Sequence, residues 1–441
     1  MPYSKLTRRP RAALTLAVVG LTLTGAVACD PNRPTGARPP LTRRDPGDRR
    51  PNSVVLAWNV AARDAATAHD NYANPSAAAR LYALVHLAQH DAVNAVAPRY
   101  ESYAFGGRDA AADPEAAAAA AAHAVLAAVY PARRARLDST LAASLAAVPD
   151  GEVEARGIAL GTQAAAAILA RRENDGSDTP VVGDYTPGTG PGRYQFTPPF
   201  TLAFQPGWRF LRPFALTRPD QFRPKAPPAL GSKAYADAFA EVKSVGQAGS
   251  ATRTPDQTAY AKFWYEFSEL GWNRIARAVA SDRALGLQGT ARLFALLNVA
   301  MSDAYVAGWD AKYHYDFWRP ITAIRAAATD GNPATAPDAA WEPLMVTPPV
   351  QDYPSTHSAL GDAAAEVLAS VFGDRTAFTF TSPTAVPADS ARSFARFSAA
   401  ADENADSRVR AGIHFRFATD AGQELGRRVG RWAVSHQLRP R

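Results

Sequence analysis

Two stretches of this sequence repeat each other without a gap: ARLYALVHLAQHDA at residues 79–92 and ARLFALLNVAMSDA at residues 291–304. In both copies apolar residues recur three and four positions apart, a spacing that places them on one face of an α-helix. Each copy therefore predicts a helix with a buried stripe. Because the two helices lie far apart in the sequence, the repeat indicates two related helical bundles within one chain.

Helical patterning covers most of the remaining chain. We predict helices at 79–92, 116–130, 131–147, 153–172, 234–245, 254–267, 272–306, 358–372, 388–408 and 419–436. Residues 175–228 hold too many Pro and Gly for a helix and alternate too little for a sheet, which predicts an irregular connector packed by its aromatic residues. The predicted fold is all-α: two four-helix bundles related by internal duplication, at 52–180 and 231–441, with the connector at 181–230.

The N-terminal residues predict an export segment. Several arginines precede an apolar stretch at 12–28 that ends in an Ala-x-Ala cleavage pattern, which predicts a signal peptide at 1–28 and a disordered linker at 29–51. Two fates stay open. Cleavage before Cys29 would release the protein, whereas lipid attachment at Cys29 would tether it to a membrane. We expect a secreted or extracytoplasmic protein, lipid-anchored in the second case.

The charge distribution argues against a nucleic-acid partner. The formal net charge of the chain is +7. The first fifty residues carry all of this excess, so the rest of the chain is formally neutral. A neutral body with interspersed charges offers no basic surface for DNA or RNA.

Three segments hold the residues of chemical interest. Lys312 and Arg319 lie seven positions apart, about two helical turns, so we expect them on one helix face, where two cations repel unless an anion lies between them. Ser355 and His357 open an Ala-rich helix, whose unpaired N–H groups attract anions. In the third segment, Arg408 offers a planar fork suited to an oxyanion, and His414 follows in a mostly apolar run.

Each segment alone has an ordinary explanation: a solvated basic face, a helix cap or a core histidine. Together they form the pattern Lys-x6-Arg-Pro, Pro-Ser-x-His, Ser-Arg-x5-His, which resembles the signature shared by vanadium-dependent haloperoxidases and the type 2 phosphatidic acid phosphatase superfamily. The resemblance spans about residue 54 to the end and is specific in 303–420. The two bundles, Trp309 and the run 317–320 (Phe-Trp-Arg-Pro) favour the haloperoxidase branch.

This resemblance implies a vanadate cofactor and a role for each matching residue. The residues implied to bind it are Lys312, Arg319, Ser355, Thr356 through its N–H group, Arg408 and His414. His414 is implied to be the single protein ligand to vanadium. His357 is implied to be the acid/base that assists hydrogen peroxide, and Lys312 to polarise the peroxide while a halide attacks. The implied partners are hydrogen peroxide, a halide and a small organic acceptor; the oligomeric state is left open, a homo-oligomer included.

Two other functions stay open. In an acid phosphatase of the same superfamily, His414 would instead be the nucleophile and His357 would protonate the leaving alcohol. An exported protein that binds an oxyanion without turnover is the non-enzymatic alternative. A zinc site is disfavoured because His86 and His90 share a helix face without a third ligand, which favours core or surface histidines.

Four positions depart from the family pattern or leave a role undecided. Thr356 stands where the family usually has glycine, and its side chain is expected to enter the pocket. Ala418 stands where the superfamily often has aspartate; Asp420 is out of register, which puts the support of His414 in doubt. Val350 stands at the halide-pocket position and leaves the preferred halide open. Asp303 is implied by the resemblance to orient Arg408.

Overall fold

The computed structural model describes residues 50–441. The predicted signal peptide, Cys29 and most of the predicted linker lie outside the described residues, so export and lipid attachment stay predictions. None of the described helices is long and apolar enough to cross a membrane.

Helices dominate the described part of the chain. The helices in residues 50–441 are α1 Ser53–Asp70, α2 Pro75–Val96, α3 Pro114–Val129, α4 Arg134–Leu145, α5 Glu152–Arg171, α6 Lys233–Val245, α7 Pro255–Phe263, α8 Ser268–Asp282, α9 Leu287–Tyr315, α10 Pro320–Arg325, α11 Thr356–Phe372, α12 Phe397–Arg410 and α13 Arg416–His436. Short 3₁₀ turns lie at Pro131–Arg133, Pro206–Phe210 and Ala327–Thr329. The predicted helical fold is confirmed.

Helices α2 and α9, which carry the repeated sequence, form the centre of the molecule. Nearly every residue of both helices is buried. Helix α2 packs against α3, α5 and α9, and α9 packs against α11 and α13. A helix that is buried all round belongs to a core, so α9 is held on several sides and offers a rigid support for the residues at its C-terminal end.

The two copies of the repeat use an equivalent aspartate in the same way. Asp91 on α2 accepts hydrogen bonds from the backbone N–H groups of residues 103, 104 and 105 at 2.7–2.8 Å. Asp303 on α9 accepts three from residues 214, 215 and 216 at 2.6–2.8 Å. Each carboxylate thus fastens a loop to its helix. The duplication and the division into three structural regions stay predictions.

Two predicted helices were wrong. The helix predicted over 272–306 is interrupted between α8 and α9, because Ala284 takes a left-handed backbone conformation (φ 47°). The helix predicted over 388–408 begins with a strand. Strands β1 Phe378–Thr381 and β2 Ala391–Phe394 pair antiparallel, and alternate residues of β1 are buried, the period of a strand rather than of a helix.

The irregular connector agrees with its prediction. Within 175–228 the only regular element is the 3₁₀ turn at Pro206–Phe210. Tyr194 and Trp208 are fully buried, whereas Phe210 is exposed. The connector therefore covers the helices with part of its aromatic side chains.

Candidate functional site

Lys312 and Arg319 reach the same segment from two different elements. Lys312 lies in the last turn of α9, which ends at Tyr315 because Asp316 adopts a left-handed conformation (φ 53°). Arg319 is the N-cap of α10, and Pro320 occupies the first position of that helix. The prediction that both cations share one helix face was therefore wrong. The chain turns between them and still brings their side chains together.

Both side chains are buried and donate to backbone carbonyl groups. Lys312 Nζ donates to the carbonyls of Gln351, at 2.5 Å, and Asp352, at 3.2 Å. Burial, with the charge of Arg319 adding to it, lowers the pKa of Lys312 well below its ordinary value. A bound anion would favour the protonated ammonium group, whose three N–H donors exceed these two acceptors. Arg319 donates through Nε to the carbonyl of Val350 and through Nη1 to that of Ile413, both at 2.6 Å.

Ser355 is the N-cap of α11, which confirms the helix cap given above as the ordinary explanation of this motif. Its hydroxyl accepts from the N–H of Ser358 at 3.3 Å and from the hydroxyl of Ser358 at 2.9 Å. Thr356 then occupies the first helical position, where a backbone N–H has no partner within the helix. Its side chain packs against α9: a Cβ added at Gly308 would lie 2.8 Å from Thr356 Oγ1.

One backbone carbonyl links Arg408 and His357. The carbonyl of Trp264 accepts from His357 Nε2 at 2.7 Å and from Arg408 Nη1 at 3.2 Å. Because a carbonyl only accepts, His357 carries its proton on Nε2 and its lone pair on Nδ1. Arg408 lies over the ring of Tyr265, 5.6 Å from its centroid, and its buried Nε has no hydrogen-bond partner.

His414 lies in the turn between α12 and α13. Gly412 precedes it with a φ of 77°, a conformation that side chains other than glycine rarely adopt. A Cβ at Gly412 would also collide with the carbonyl of Gly246, which follows α6. This contact between two glycine backbones fixes the turn that carries His414.

The two ring nitrogens of His414 face different neighbours. Nε2 lies 3.0 Å from Arg319 Nη1. Nδ1 lies 2.9 Å from Asp352 Oδ1. The second pair is within ion-pair distance but is not aligned as a hydrogen bond, since neither atom has a hydrogen-bond partner. Both residues are at most 4% exposed.

The buried charges do not balance. Lys312, Arg319 and Arg408 are each at most 3% exposed, and among the described residues Asp352 is the carboxylate that interacts with this group. Burial lowers the pKa of Arg408 to about 10 and raises that of Asp352 to about 7. Burial, with the cations adding to it, holds the pKa of His414 well below its ordinary value.

Burial and Arg408 likewise lower the pKa of His357, so both histidines are neutral near pH 7. An excess of buried cations is unfavourable unless an anion joins them. The uncompensated charge and the free donors of Lys312 and Arg408 therefore fit an oxyanion. In residues 50–441 no group of three or more His, Cys, Asp or Glu side chains is placed to hold a metal cation.

Several expectations need correction. Asp303 does not orient Arg408, because its carboxylate is occupied by the three backbone N–H groups of residues 214–216. The side chain of Thr356 packs on Gly308, whose missing side chain leaves room for it. By contrast, His86 and His90 are core histidines as expected: both are fully buried and bonded to neighbouring polar groups.

Sequence reasoning missed two partners of the site. Asp352 lies two residues after Val350 and is the single charged residue of the run 347–356, a signal that could have indicated it. The carbonyl of Trp264 is a backbone atom, so residue type gives no signal for it.

The chain is similar in sequence to known vanadium haloperoxidases. Residues 292–440 match the model of the VCPO second helical-bundle domain. Vanadium chloroperoxidase of Curvularia inaequalis is 30% identical over 182 residues, which are 34% of this chain and 29% of that protein. The chain thus matches less than a third of the length of this curated relative.

Solved structures extend the similarity to most of the chain. The crystal structure of a protein described as the first bacterial vanadium-dependent iodoperoxidase has a TM-score of 0.75 and 29% identity, with 89% of this chain and 98% of that chain covered. An apo-type bacterial vanadium-dependent chloroperoxidase has a TM-score of 0.69 and 19% identity, with 82% and 94% covered, and supports the fold alone. The chain is therefore similar to vanadium-dependent haloperoxidases, in sequence through its second helical-bundle domain and in fold over most of its length.

Proposed function

We propose that this protein is an exported haloperoxidase that oxidises a halide with hydrogen peroxide at a vanadate group bound to His414. The observation that carries the proposal is the buried excess of positive charge around His414 Nε2. The match of residues 292–440 to the VCPO second helical-bundle domain supports the same conclusion, as does the similarity to a vanadium-dependent iodoperoxidase over most of the chain.

The donors present fit vanadate. The residues that would hold it are Lys312, Arg319, Ser355, the N–H group of Thr356, Arg408 and His414. The cations would offset the charge on its oxygens, and the N-terminus of α11 adds an unpaired N–H group. Arg408 Nε, buried and without a partner, would gain an acceptor.

Bound vanadate would supply Lewis-acid activation of hydrogen peroxide without a change in its own oxidation state. The chain contributes proton transfer. His357 is neutral, partly exposed and held by the carbonyl of Trp264. Its Nδ1, which carries the lone pair, would accept a proton from incoming hydrogen peroxide and return it later.

Lys312 would act by electrostatics. Its ammonium group is fixed by two carbonyls and keeps one N–H free. It therefore needs no reorganisation to polarise an oxygen of the peroxide as the halide attacks. The oxidised halide would then react with a small organic acceptor.

A paired assay on the purified protein tests the proposal. One arm measures bromide- and iodide-dependent oxidation by hydrogen peroxide after loading with orthovanadate. The other arm measures hydrolysis of a chromogenic phosphate ester without vanadate. We expect vanadate-dependent halide oxidation that is lost in His414→Ala.

Ester hydrolysis alone, inhibited by vanadate, would instead identify a phosphatase. Inactivity in both arms would leave an oxyanion-binding protein. The location is tested separately: fractionation of cells that produce the full chain should recover the protein outside the cytoplasm. Mass spectrometry of its N-terminus would then distinguish cleavage after Ala28 from lipid attachment at Cys29.

A further inference from the structure

The superfamily pattern often supports the last histidine with an aspartate four residues later, and this chain has Ala418 at that position. Ala418 is fully buried, and its carbonyl accepts from the N–H of Ser355 at 2.8 Å. The nearby Asp420 is exposed. Neither residue of α13 therefore offers His414 a buried carboxylate.

A carboxylate reaches His414 from a different segment. Asp352 Oδ1 lies 2.9 Å from His414 Nδ1, an electrostatic contact that is not aligned as a hydrogen bond, and Asp352 is fully buried. It precedes α11, sixty-two positions before the histidine in the sequence. The carboxylate beside this ring thus lies in the loop before Ser355, not in the helix after His414 where the superfamily pattern would have it.

The backbone of this loop is held at several points. Lys312 donates to the carbonyls of Gln351 and Asp352, and Arg319 donates to that of Val350. The N–H of Asp352 donates to the carbonyl of Phe317 at 3.0 Å. Two cations of the site therefore also fix the position of the Asp352 carboxylate.

The neighbours of the two ring nitrogens select one tautomer of His414. Arg319 Nη1, which can only donate, faces Nε2 at 3.0 Å. Nε2 must then carry the lone pair. The proton of the neutral ring consequently lies on Nδ1, the nitrogen that faces Asp352.

We propose that Asp352 is the positioning residue of His414: it holds the ring with Nδ1 protonated, so that the lone pair of Nε2 is directed to the bound oxyanion. The part of this role that concerns vanadate binding rests on the proposed function. The tautomer itself is a property of the protein without vanadate and can be measured independently.

Asp352 has a second, opposite effect on anion binding. When ionised, its carboxylate interacts with Lys312 and Arg319 and so reduces the positive charge that an oxyanion meets. Removing the carboxylate should weaken a bond from Nε2 to vanadium but should not weaken an anion held by charge alone. Vanadate and sulfate therefore separate the two effects, because sulfate forms no bond to the ring.

The test uses the full chain with Asp352→Asn, which keeps an oxygen acceptor, and Asp352→Ala, which removes it. Calorimetry gives the Kd of orthovanadate and of sulfate. Loss of support behind a metal-bound histidine costs roughly 10- to 100-fold in affinity. We expect vanadate binding to weaken by about 10-fold in Asp352→Asn and about 100-fold in Asp352→Ala, with sulfate binding unchanged or tighter in both.

Asp316→Asn is the matched control, because Asp316 lies near Gln351 and is bonded to Tyr185 rather than to His414. It should leave both affinities unchanged. Equal weakening of vanadate and sulfate in the Asp352 variants would show a merely structural role and overturn the proposal. Unchanged vanadate affinity in Asp352→Ala would overturn it as well.

¹⁵N NMR of labelled histidine in the vanadate-free protein completes the test. We expect the His414 signal, assigned by its absence in His414→Ala, to show Nδ1 protonated in the wild type. In Asp352→Ala the Nδ1 chemical shift should change because the N–H group loses its neighbouring carboxylate, and an unchanged shift would contradict the role of Asp352. A wild-type ring protonated on Nε2 would refute the role of Asp352 whether or not the protein oxidises halides. Failure of the wild type to bind vanadate would instead refute the proposed function, and the NMR result would still decide the role of Asp352.

Discussion

Replacing Arg408 by methionine should weaken vanadate binding strongly without destabilising the vanadate-free protein. Methionine keeps the apolar stem and removes the guanidinium. Arg408 is 3% exposed, its Nε has no partner, and the Trp264 carbonyl that it contacts keeps His357 as a second donor. Replacing buried charges by apolar groups of similar volume is often neutral or stabilising. We therefore expect the free energy of unfolding to stay equal or to rise by about 1 kcal/mol.

The loss in affinity follows from Coulomb's law. One guanidinium acting on a singly charged oxyanion about 5 Å away, at an effective dielectric constant near 20, contributes about 3 kcal/mol. This corresponds to a roughly 100-fold increase in Kd. Calorimetry measures the Kd of vanadate, and thermal unfolding with and without vanadate reports the same loss as a smaller stabilisation by the ligand.

Arg172→Met is the contrasting control. Arg172 is also 3% exposed, but it is paired with Asp175 at 2.8 Å and donates to the carbonyl of Pro213. Its loss leaves the buried Asp175 with Arg80 as its remaining cation and the carbonyl of Pro213 without this donor, so we expect it to lower stability by about 1–3 kcal/mol and to leave vanadate affinity unchanged. If Arg408→Met lowered apo stability by more than about 2 kcal/mol and changed the Kd less than about threefold, the inference of an anion pocket would be refuted.

Three further perturbations test other parts of the structure. Burial raises the pKa of Glu269 to about 8, above its unfolded value near 4.3, so the free energy of unfolding should fall as the pH rises from about 4 towards 8. Glu269→Gln should lack this fall in stability. A variant with the same pH profile as the wild type would contradict the assignment. Gly308→Ala should destabilise the protein by about 1–3 kcal/mol, because the added Cβ would lie 2.8 Å from Thr356 Oγ1. Denaturant unfolding should show that Thr356→Gly relieves this loss in the double variant. Additive effects of the two substitutions would exclude the contact. The resemblance assigns the position of Val350 to the halide pocket, so Val350→His should change the ratio of bromide to iodide oxidation several-fold relative to wild type. An unchanged ratio in the peroxide assay would remove Val350 from that pocket.

The sequence was most informative where one helix face or one motif carried the signal. The repeated helices and the cap at Ser355 followed from local spacing, whereas the residues expected to bind an oxyanion were indicated by the resemblance of three motifs taken together. The relation between Lys312 and Arg319 did not, because the helix ends at Asp316 in a left-handed conformation that residue spacing alone does not reveal.

Partners distant in the sequence were harder to predict. Asp303 looked available for Arg408, yet three backbone N–H groups of the connector occupy its carboxylate. The contact between Asp352 and His414 joins two loops that only the folded chain brings together. The β-hairpin was missed because the Ala-rich composition around 388–408 favoured a helix over a short strand.

The contact between Gly246 and Gly412 has a consequence for engineering this protein. The position of the histidine turn depends on a backbone atom at the end of α6, far away in the sequence. Insertions or deletions near residue 246 would therefore move His414 without touching any residue of the site. Directed evolution of the substrate range should vary the side chains around the pocket and keep the length of this segment constant.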